Sequence, residues 1–206
     1  MNDISIIISA PSGAGKTTII NKLLETDNRF EFSISTTTRG KRGKEIDGQD
    51  YCFISIDEFK KKIENDEFLE WAEVHGNYYG TLKKEIDRIA GIEKIPIFDV
   101  DFQGALQLKE NIAKGVFIFI IPPDLEELEK RLRNRKSDSD KSIKLRLKNA
   151  VKELKNYYIY DYLVINDQID SAVNKLESII TAELCRKDHL SDRLKNMLEA
   201  LNDNSA

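Results

Sequence analysis

The stretch that most constrains the fold of this chain is residues 10–17, which read Ala-Pro-Ser-Gly-Ala-Gly-Lys-Thr. Residues 4–9 precede it as an apolar run typical of a buried strand, and residues 18–25 follow with apolar side chains at helical spacing. A strand, a glycine-rich turn and a helix in this order predict a phosphate-binding loop, because small residues let backbone N–H groups turn inward at a helix N-terminus. Since both flanking elements fit, we favour this interpretation over an ordinary strand-to-helix turn.

Two side chains of this loop have specific roles in the prediction. Lys16 can bridge the β- and γ-phosphates of a nucleotide, and the Thr17 hydroxyl can ligate Mg²⁺. Ala10 stands where the common pattern has its first glycine, but Gly13 and Gly15 remain, so we expect the loop to close. The predicted phosphate site consists of Ala10, Pro11, Ser12, Gly13, Ala14, Gly15, Lys16 and Thr17.

The composition limits the class of protein. The 206 residues, 40% of them hydrophobic, suit a single α/β domain with a real core. A net charge of −4 argues against broad nucleic-acid binding, which usually accompanies a basic excess. No apolar segment reaches the roughly 18 residues that span a membrane, and the first residues lack the basic region of a secretory signal. Cys52 and Cys185 fit free thiols in a reducing cytosol. Taken together, these observations predict a cytoplasmic protein without membrane or nucleic-acid partners.

Predicted strands and helices alternate along most of the chain, which indicates a parallel sheet covered by helices on both faces. The later strands are predicted at residues 95–101, 116–121 and 162–165, and the later helices at residues 104–111, 142–157 and 171–184, with one more after Asp124. Residues 33–92 interrupt this pattern, with a strand predicted at residues 68–75 and a helix at residues 81–89. We therefore expect a small lobe inserted after the first strand and helix.

Two acidic residues end the predicted strand 95–101. Ligands of parallel sheets bind outside the carboxyl ends of the strands, so Asp99 and Asp101 are expected beside the phosphate loop. Asp99 could hold Mg²⁺ opposite Thr17, directly or through water. Mg²⁺ keeps most of its waters, so two protein ligands and nucleotide phosphates would suffice. The alternative for Asp99 is a cap on the following helix.

The predicted lobe contains side chains that suit a nucleoside monophosphate. Arg39 and Arg42 are planar donors for a phosphate dianion. Further phenolic, hydroxyl and carboxylate groups are supplied by Tyr51, Tyr79, Ser35, Thr81 and Glu70. A carboxylate such as Glu70 can accept from both N1–H and N2–H₂ of guanine, whereas adenine has no donor at N1. Taken singly, each of these residues is more readily explained as a surface or core residue.

Together, the motifs resemble the guanylate kinase family over about residues 4–186. They are Ser9-Ala-Pro-Ser-Gly-Ala-Gly-Lys16, Ser35-Thr-Thr-Thr-Arg39 with Arg42, Glu45 and Gly48, Asp50-Tyr51, Glu58-Phe59, Glu70, Gly76-Asn-Tyr-Tyr-Gly80, Asp99-Val-Asp-Phe-Gln-Gly104, Pro122-Pro123 and Val164-Ile-Asn-Asp167. The resemblance implies a three-layer P-loop α/β fold with a parallel central sheet, an inserted GMP-binding lobe and a helical lid. It also implies ATP-dependent phosphorylation of GMP to GDP with Mg²⁺, in cytoplasmic purine nucleotide metabolism and GMP recycling.

The resemblance assigns roles position by position. The residues that would contact guanine are Ser35, Glu70, Thr81 and Asp101. Those that would hold the GMP phosphate are Arg39, Arg42, Tyr51 and Tyr79. Those that would act on the transferring phosphoryl group are Lys16 and the lid arginines Arg131, Arg135 and Arg146. Asn166 falls where the family contacts the adenine side. Lys41, Gly43 and Lys44 stand where many members carry prolines, and Asn134 and Lys136 where lid glycines are usual.

The resemblance also divides the chain. The kinase domain covers residues 4–186, and its parts are a core of residues 4–32, 93–125 and 158–186, a GMP-binding lobe of residues 33–92 and a lid of residues 126–157. Residues 187–206 form a predicted helical tail with an apolar stripe of Leu190, Leu194, Met197, Leu198 and Leu201. The stripe can pack on its own chain or on a second copy, so both a monomer and a homodimer stay open.

Two other functions are weighed against this one. The first is a catalytically inactive guanylate-kinase-like module that binds protein partners; such modules have lost the phosphate loop or the GMP ligands, which are intact here. The second is a kinase for another mononucleotide, or a nucleotide-driven switch. Glu70 together with Asp101 favours guanine over adenine or thymine.

Overall fold

A computed structural model gives the fold and describes residues 4–74, 76–134 and 140–203. In chain order, its elements are β1 (Ser5–Ser9), α1 (Lys16–Thr26), β2 (Phe30–Phe32), β3 (Thr36–Thr37), β4 (Cys52–Phe53), α2 (Ile56–Glu64), β5 (Phe68–Val74), β6 (Asn77–Leu82), α3 (Lys83–Gly91), β7 (Ile95–Asp99), α4 (Phe102–Asn111), β8 (Gly115–Ile121), α5 (Leu125–Asn134), α6 (Asp140–Leu154), β9 (Tyr162–Ile165), α7 (Ile169–Leu184) and α8 (Lys187–Asp203). A 3₁₀ turn, Tyr157–Ile159, lies between α6 and β9.

The centre of the molecule is a parallel five-stranded sheet with the strand order β2-β7-β1-β8-β9. Strand β1 is buried along its whole length, and its side chains alternate between two core clusters. Ile6 and Ile8 pack in the cluster that includes residues of α1 and α7, whereas Ile7 packs in the cluster that includes residues of α4. Helices therefore cover both faces of the sheet, and the predicted three-layer α/β fold is confirmed.

A second sheet is formed by strands from the inserted segment, in the order β4-β3-β6-β5. Strands β3 and β4 pair in parallel, and the other two pairs are antiparallel. Its own small core consists of Phe59 of α2 and two strand residues, Phe68 and Leu82. The rings of Phe59 and Phe68 stack with their centroids 4.4 Å apart, which fixes α2 against this sheet.

The structure corrects two element boundaries that matter for the site. The helix predicted from residue 81 begins at Lys83, because Thr81 belongs to β6, where it pairs with Glu70 of β5. The strand predicted over residues 95–101 ends at Asp99. Asp101 is instead the N-cap of α4, and its Oδ1 accepts a hydrogen bond of 2.9 Å from the N–H of Gly104. Helix α4 therefore begins two residues earlier than predicted, at Phe102.

Helices α5 and α6 pack on each other through a small separate cluster that includes Leu128, Leu132 and Ile143. Asp124 precedes α5, and its Oδ1 accepts the N–H of Glu127 at 2.7 Å, which caps the helix. A similar cap lies on α2, where the Oγ of Ser55 accepts the N–H of Glu58. The predicted lid therefore corresponds to two helices that share one small cluster.

Helix α8 follows α7 after a short break, and most of its predicted apolar stripe is exposed. Leu190, Leu194, Met197 and Leu198 are each between 42% and 59% exposed, whereas the side chain of Leu201 lies outside the described part of the helix. Within the described residues no helix has the length and apolar character to cross a membrane.

Candidate active site

The predicted phosphate loop joins β1 to α1 and depends on two glycines. Gly13 and Gly15 both have φ near +94°, a left-handed backbone conformation that residues with a side chain rarely adopt. Space is limited as well, because a Cβ on Gly13 would lie 2.9 Å from Cδ2 of Leu132 on α5. A Cβ on Gly15 would collide with the side-chain amide of Asn166. The loop can therefore close only with glycine at these two positions.

Asn166 supports this loop from the end of β9. Its side chain is only 3% exposed, and Nδ2 donates a hydrogen bond of 2.6 Å to the carbonyl oxygen of Ala14. The backbone carbonyl oxygen of Asn166 accepts a hydrogen bond from Nη2 of Arg131 at 3.0 Å. The structure thus places Asn166, predicted for the adenine side, against the backbone of the phosphate loop.

Lys16 reaches from the start of α1 to the carboxyl end of β7. Its Nζ lies 2.5 Å from Oδ1 of Asp99 and donates to the carbonyl oxygen of Val100 at 2.9 Å. Thr17, the other predicted functional side chain of the loop, is exposed at the start of α1 and borders a cleft that lies over the loop. The structure therefore brings Lys16, Thr17 and Asp99 to one end of the sheet, as parallel strands require.

Helix α6, part of the predicted lid, contacts the loop at Ser12. Nη2 of Arg146 donates to Oγ of Ser12 at 2.9 Å, and the backbone N–H of Ser12 donates to Oε2 of Glu153 at 3.2 Å. Arg131 contacts Asn166 as described above, and its Nε donates a hydrogen bond to Glu127 at 2.9 Å. The third predicted lid arginine, Arg135, lies outside the described residues. A cleft of about 490 Å³ lies over the loop and is bordered by α6.

Glu153 is a site residue that the sequence analysis missed. Its carboxylate accepts a backbone N–H of the loop that is predicted to bind phosphate oxygens. A negatively charged side chain therefore already lies against the predicted anion site. Burial raises the pKa of Glu153 above its ordinary value, while the hydrogen bond from Ser12 and the charge of Lys16 act in the opposite direction. Glu153 lies two helical turns after Arg146 on α6, and this spacing is the signal that could have placed both on one face.

Three of the four predicted guanine residues line a second cleft of about 200 Å³, and the fourth, Thr81, contacts Glu70. Glu70 is 6% exposed there, and its Oε1 accepts a hydrogen bond of 2.7 Å from Oγ1 of Thr81. Ser35 and Asp101 border the same cleft. Burial raises the pKa of Glu70 to about 7, because the low-dielectric surroundings disfavour the charged carboxylate.

Of the predicted monophosphate residues, Tyr51 and Tyr79 line that cleft, whereas Arg39 and Arg42 do not. The guanidinium of Arg39 sits 5.2 Å from the ring centroid of Tyr51, and the rings of Tyr51 and Tyr79 meet edge to face at 6.2 Å. The side chain of Arg42 is exposed. Glu45 organises this loop: it accepts from both terminal nitrogens of Arg39, at 2.8 and 2.9 Å, and from the backbone N–H of Arg42 at 2.7 Å. The paired arginine lowers the pKa of Glu45 to about 2.

Comparison with known proteins decides the family of this chain. The family model described as guanylate kinase matches residues 3–183. The chain belongs to the guanylate kinase family. The guanylate kinase of Clostridium acetobutylicum is 50% identical over 92% of this chain and 90% of that protein. The guanylate kinase of Geobacter sulfurreducens is 48% identical over 93% of this chain and 94% of that protein.

A solved structure agrees with this assignment. The crystal structure of guanylate kinase from Anaplasma phagocytophilum matches the fold with a TM-score of 0.72 and 32% sequence identity, covering 93% of this chain and 95% of that one. The resemblance inferred from the motifs is therefore confirmed. The match to the guanylate kinase family model ends at residue 183, so α8 lies beyond it.

Proposed function

We propose that this chain transfers the γ-phosphoryl group of ATP to GMP and forms ADP and GDP. The observation that supports this proposal best is that the two clefts meet, because Lys16 and Asp101 border both. The loop cleft offers backbone donors for a triphosphate, and the second cleft offers a carboxylate for guanine and phenols for a monophosphate. Phosphates bound in the two clefts would face each other beside Lys16.

The proposed reaction asks for positioning and charge neutralisation rather than for covalent chemistry by the protein. The phosphate dianion of GMP is already a nucleophile, so no general base is required. Lys16 and the lid residues Arg131 and Arg146 would neutralise the charge that spreads over the transferring group. Closure of the lid and of the GMP-binding lobe would align the reactants and exclude water, which would otherwise hydrolyse ATP.

Mg²⁺ is part of the proposal. Among the described residues no group of three or more His, Cys, Asp or Glu side chains could hold a metal by itself. The Thr17 hydroxyl and the Asp99 carboxylate are oxygen donors beside the phosphate loop, and this small set suits an ion that keeps most of its waters and binds nucleotide phosphates. When bound, Mg²⁺ would neutralise phosphate charge. The cytoplasmic location and the choice between monomer and homodimer stay predictions from the sequence.

The proposal is tested by the choice of phosphoryl acceptor. Purified protein is incubated with ATP and Mg²⁺ and with GMP, AMP, dTMP, CMP or UMP in separate reactions, and nucleoside diphosphates are quantified. We expect GMP to be preferred by a wide margin. Preference for another monophosphate would contradict the guanine assignment, and the absence of any diphosphate product would favour a module without kinase activity.

Glu153 gives a prediction for ATP binding. Replacing it with glutamine keeps an oxygen that can accept from Ser12 but removes a negative charge beside the triphosphate site. We expect Glu153→Gln to bind ATP about fivefold more tightly in the absence of GMP, since one unfavourable charge contact is worth about 1 kcal/mol in a water-like dielectric. Titration calorimetry measures the dissociation constant. Glu129→Gln is the control, because Glu129 is a partly exposed carboxylate of α5 that pairs with Arg133. Equal or weaker binding by Glu153→Gln would contradict this expectation.

A further inference from the structure

Gly104 occupies the first turn of α4, and its backbone does not need glycine. Gly104 does not belong to the glycines with positive φ, so alanine is compatible with its conformation. In a helix interior alanine is preferred over glycine by about 1 kcal/mol. The reason for glycine at this position must therefore lie in the space around it.

That space is filled by the side chain of Glu70. A Cβ on Gly104 would lie 2.8 Å from Oε2 of Glu70 and 3.0 Å from Cβ of Val100. The other carboxylate oxygen of Glu70 is already held by Thr81. The carboxylate is thus confined between a hydroxyl of β6 and the bare Cα of α4. Because the closest atom is the end of a flexible side chain, a methyl group would move the carboxylate more easily than the backbone.

The same face of α4 is fastened along β5, so Gly104 cannot move away from Glu70. Nε2 of Gln107 donates to the carbonyl oxygen of Trp71 at 2.7 Å, and the Trp71 N–H donates back to Oε1 of Gln107 at 3.0 Å. One turn further on, Nδ2 of Asn111 donates to the carbonyl oxygen of Leu69 at 2.7 Å. Positions 104, 107 and 111 lie on one helical face, and together they fix the distance between α4 and the strand that carries Glu70.

We propose that Gly104 is a positioning residue for base selectivity: its missing side chain sets where the Glu70 carboxylate meets the guanine edge. This inference rests on the proposed function. It predicts that a single added methyl group at Gly104 changes recognition of GMP without changing any group that contacts the nucleotides.

The test is the steady-state kinetics of Gly104→Ala. We expect the KM for GMP to rise about tenfold, as when a charge-assisted hydrogen bond is misplaced, and the preference for GMP over AMP to fall. The KM for ATP should stay close to its wild-type value. Gly91→Ala is the control, because Gly91 ends α3 and a Cβ there meets nothing within 4 Å.

A double variant shows whether the effect passes through Glu70. In a Glu70→Ala background the added methyl meets no carboxylate, so Gly104→Ala should cause no further rise in the KM for GMP. A wild-type KM in folded Gly104→Ala, or an equal rise in both backgrounds, would overturn the proposal. If Gly104→Ala fails to fold, recovery of folding in the double variant supports the contact with Glu70, and failure of both overturns it. Wild-type protein that does not phosphorylate GMP would instead refute the proposed function.

Discussion

Replacing Lys16 with methionine is expected to lower kcat for phosphoryl transfer by at least about 100-fold while the protein stays folded. Methionine keeps an unbranched stem of similar length but removes the charge that stabilises the transferring phosphoryl group. The Lys16 amine is the cation at the junction of the two clefts, between Asp99 and the carbonyl oxygen of Val100. Steady-state kinetics with saturating ATP and GMP measure the effect, and far-ultraviolet circular dichroism verifies the fold.

Lys22→Met is the matched control. Lys22 lies on the same helix, but its Nζ is 3.6 Å from Asp170 in an exposed pair that contributes little to stability. We expect its kcat to equal that of the wild type. Near-normal turnover by folded Lys16→Met would remove Lys16 from the reaction and, with it, the proposed role of the phosphate loop.

The second large effect is expected at Glu70. Glu70→Gln keeps the shape of the side chain but replaces one acceptor with an amide donor that faces the donors of guanine. We expect the KM for GMP to rise at least about tenfold, since a hydrogen bond to a charged group contributes about 1.5–3 kcal/mol. Glu73→Gln on the exposed face of the same strand is the control. A GMP KM equal to that of the control would move the guanine site away from Glu70.

The raised pKa of Glu70 adds a dependence on pH. Only the ionised carboxylate can accept from both guanine donors, and this form becomes populated as pH rises through about 7. Wild-type affinity for GMP should therefore rise between pH 6 and pH 8 more steeply than that of Glu70→Gln. The GMP phosphate also ionises in this range, and it affects the wild type and the variant alike. The difference between their two curves of affinity against pH therefore reports the ionisation of Glu70. Identical curves would show that Glu70 does not titrate against GMP.

The same pKa predicts a change in stability. In the unfolded chain Glu70 ionises near its ordinary pKa of 4.5, whereas in the folded protein it keeps its proton until about pH 7. The unfolded state therefore loses a proton first, and the contribution of Glu70 to the free energy of unfolding falls as pH rises from 4.5 to 7. Glu70→Gln should gain melting temperature relative to the wild type across this window. A difference in melting temperature between Glu70→Gln and the wild type that stays constant from pH 4.5 to pH 7 would contradict this prediction.

Local patterns were sufficient to predict the phosphate loop and the architecture of the core. The loop is encoded by adjacent residues, because Gly13 and Gly15 are required by backbone conformation and α1 starts directly after them. The alternation of apolar strands with helices likewise predicted the parallel sheet, and the motifs together predicted the family correctly.

Contacts between distant residues could not be predicted in this way. Thr81 lies in a strand rather than a helix because it pairs with Glu70, and such a partner is not visible in a local pattern. Glu153 reaches Ser12 across 141 positions of the chain. Its spacing from Arg146 places both residues on one face of α6 but does not identify Ser12 as the partner. Asp101 looked like the end of a strand, yet β7 stops where its pairing with β1 stops, at Asp99.

The central claim is that one phosphoryl group passes directly from ATP to GMP inside the joined clefts. The most direct measurement uses ATP labelled at its γ-phosphorus, with unlabelled GMP and Mg²⁺, followed by separation of all labelled products. The account predicts that the label appears at the β-phosphate of GDP, in an amount equal to the ADP formed, and that almost none appears as inorganic phosphate. Label released mainly as inorganic phosphate, or found in no nucleotide at all, would contradict it.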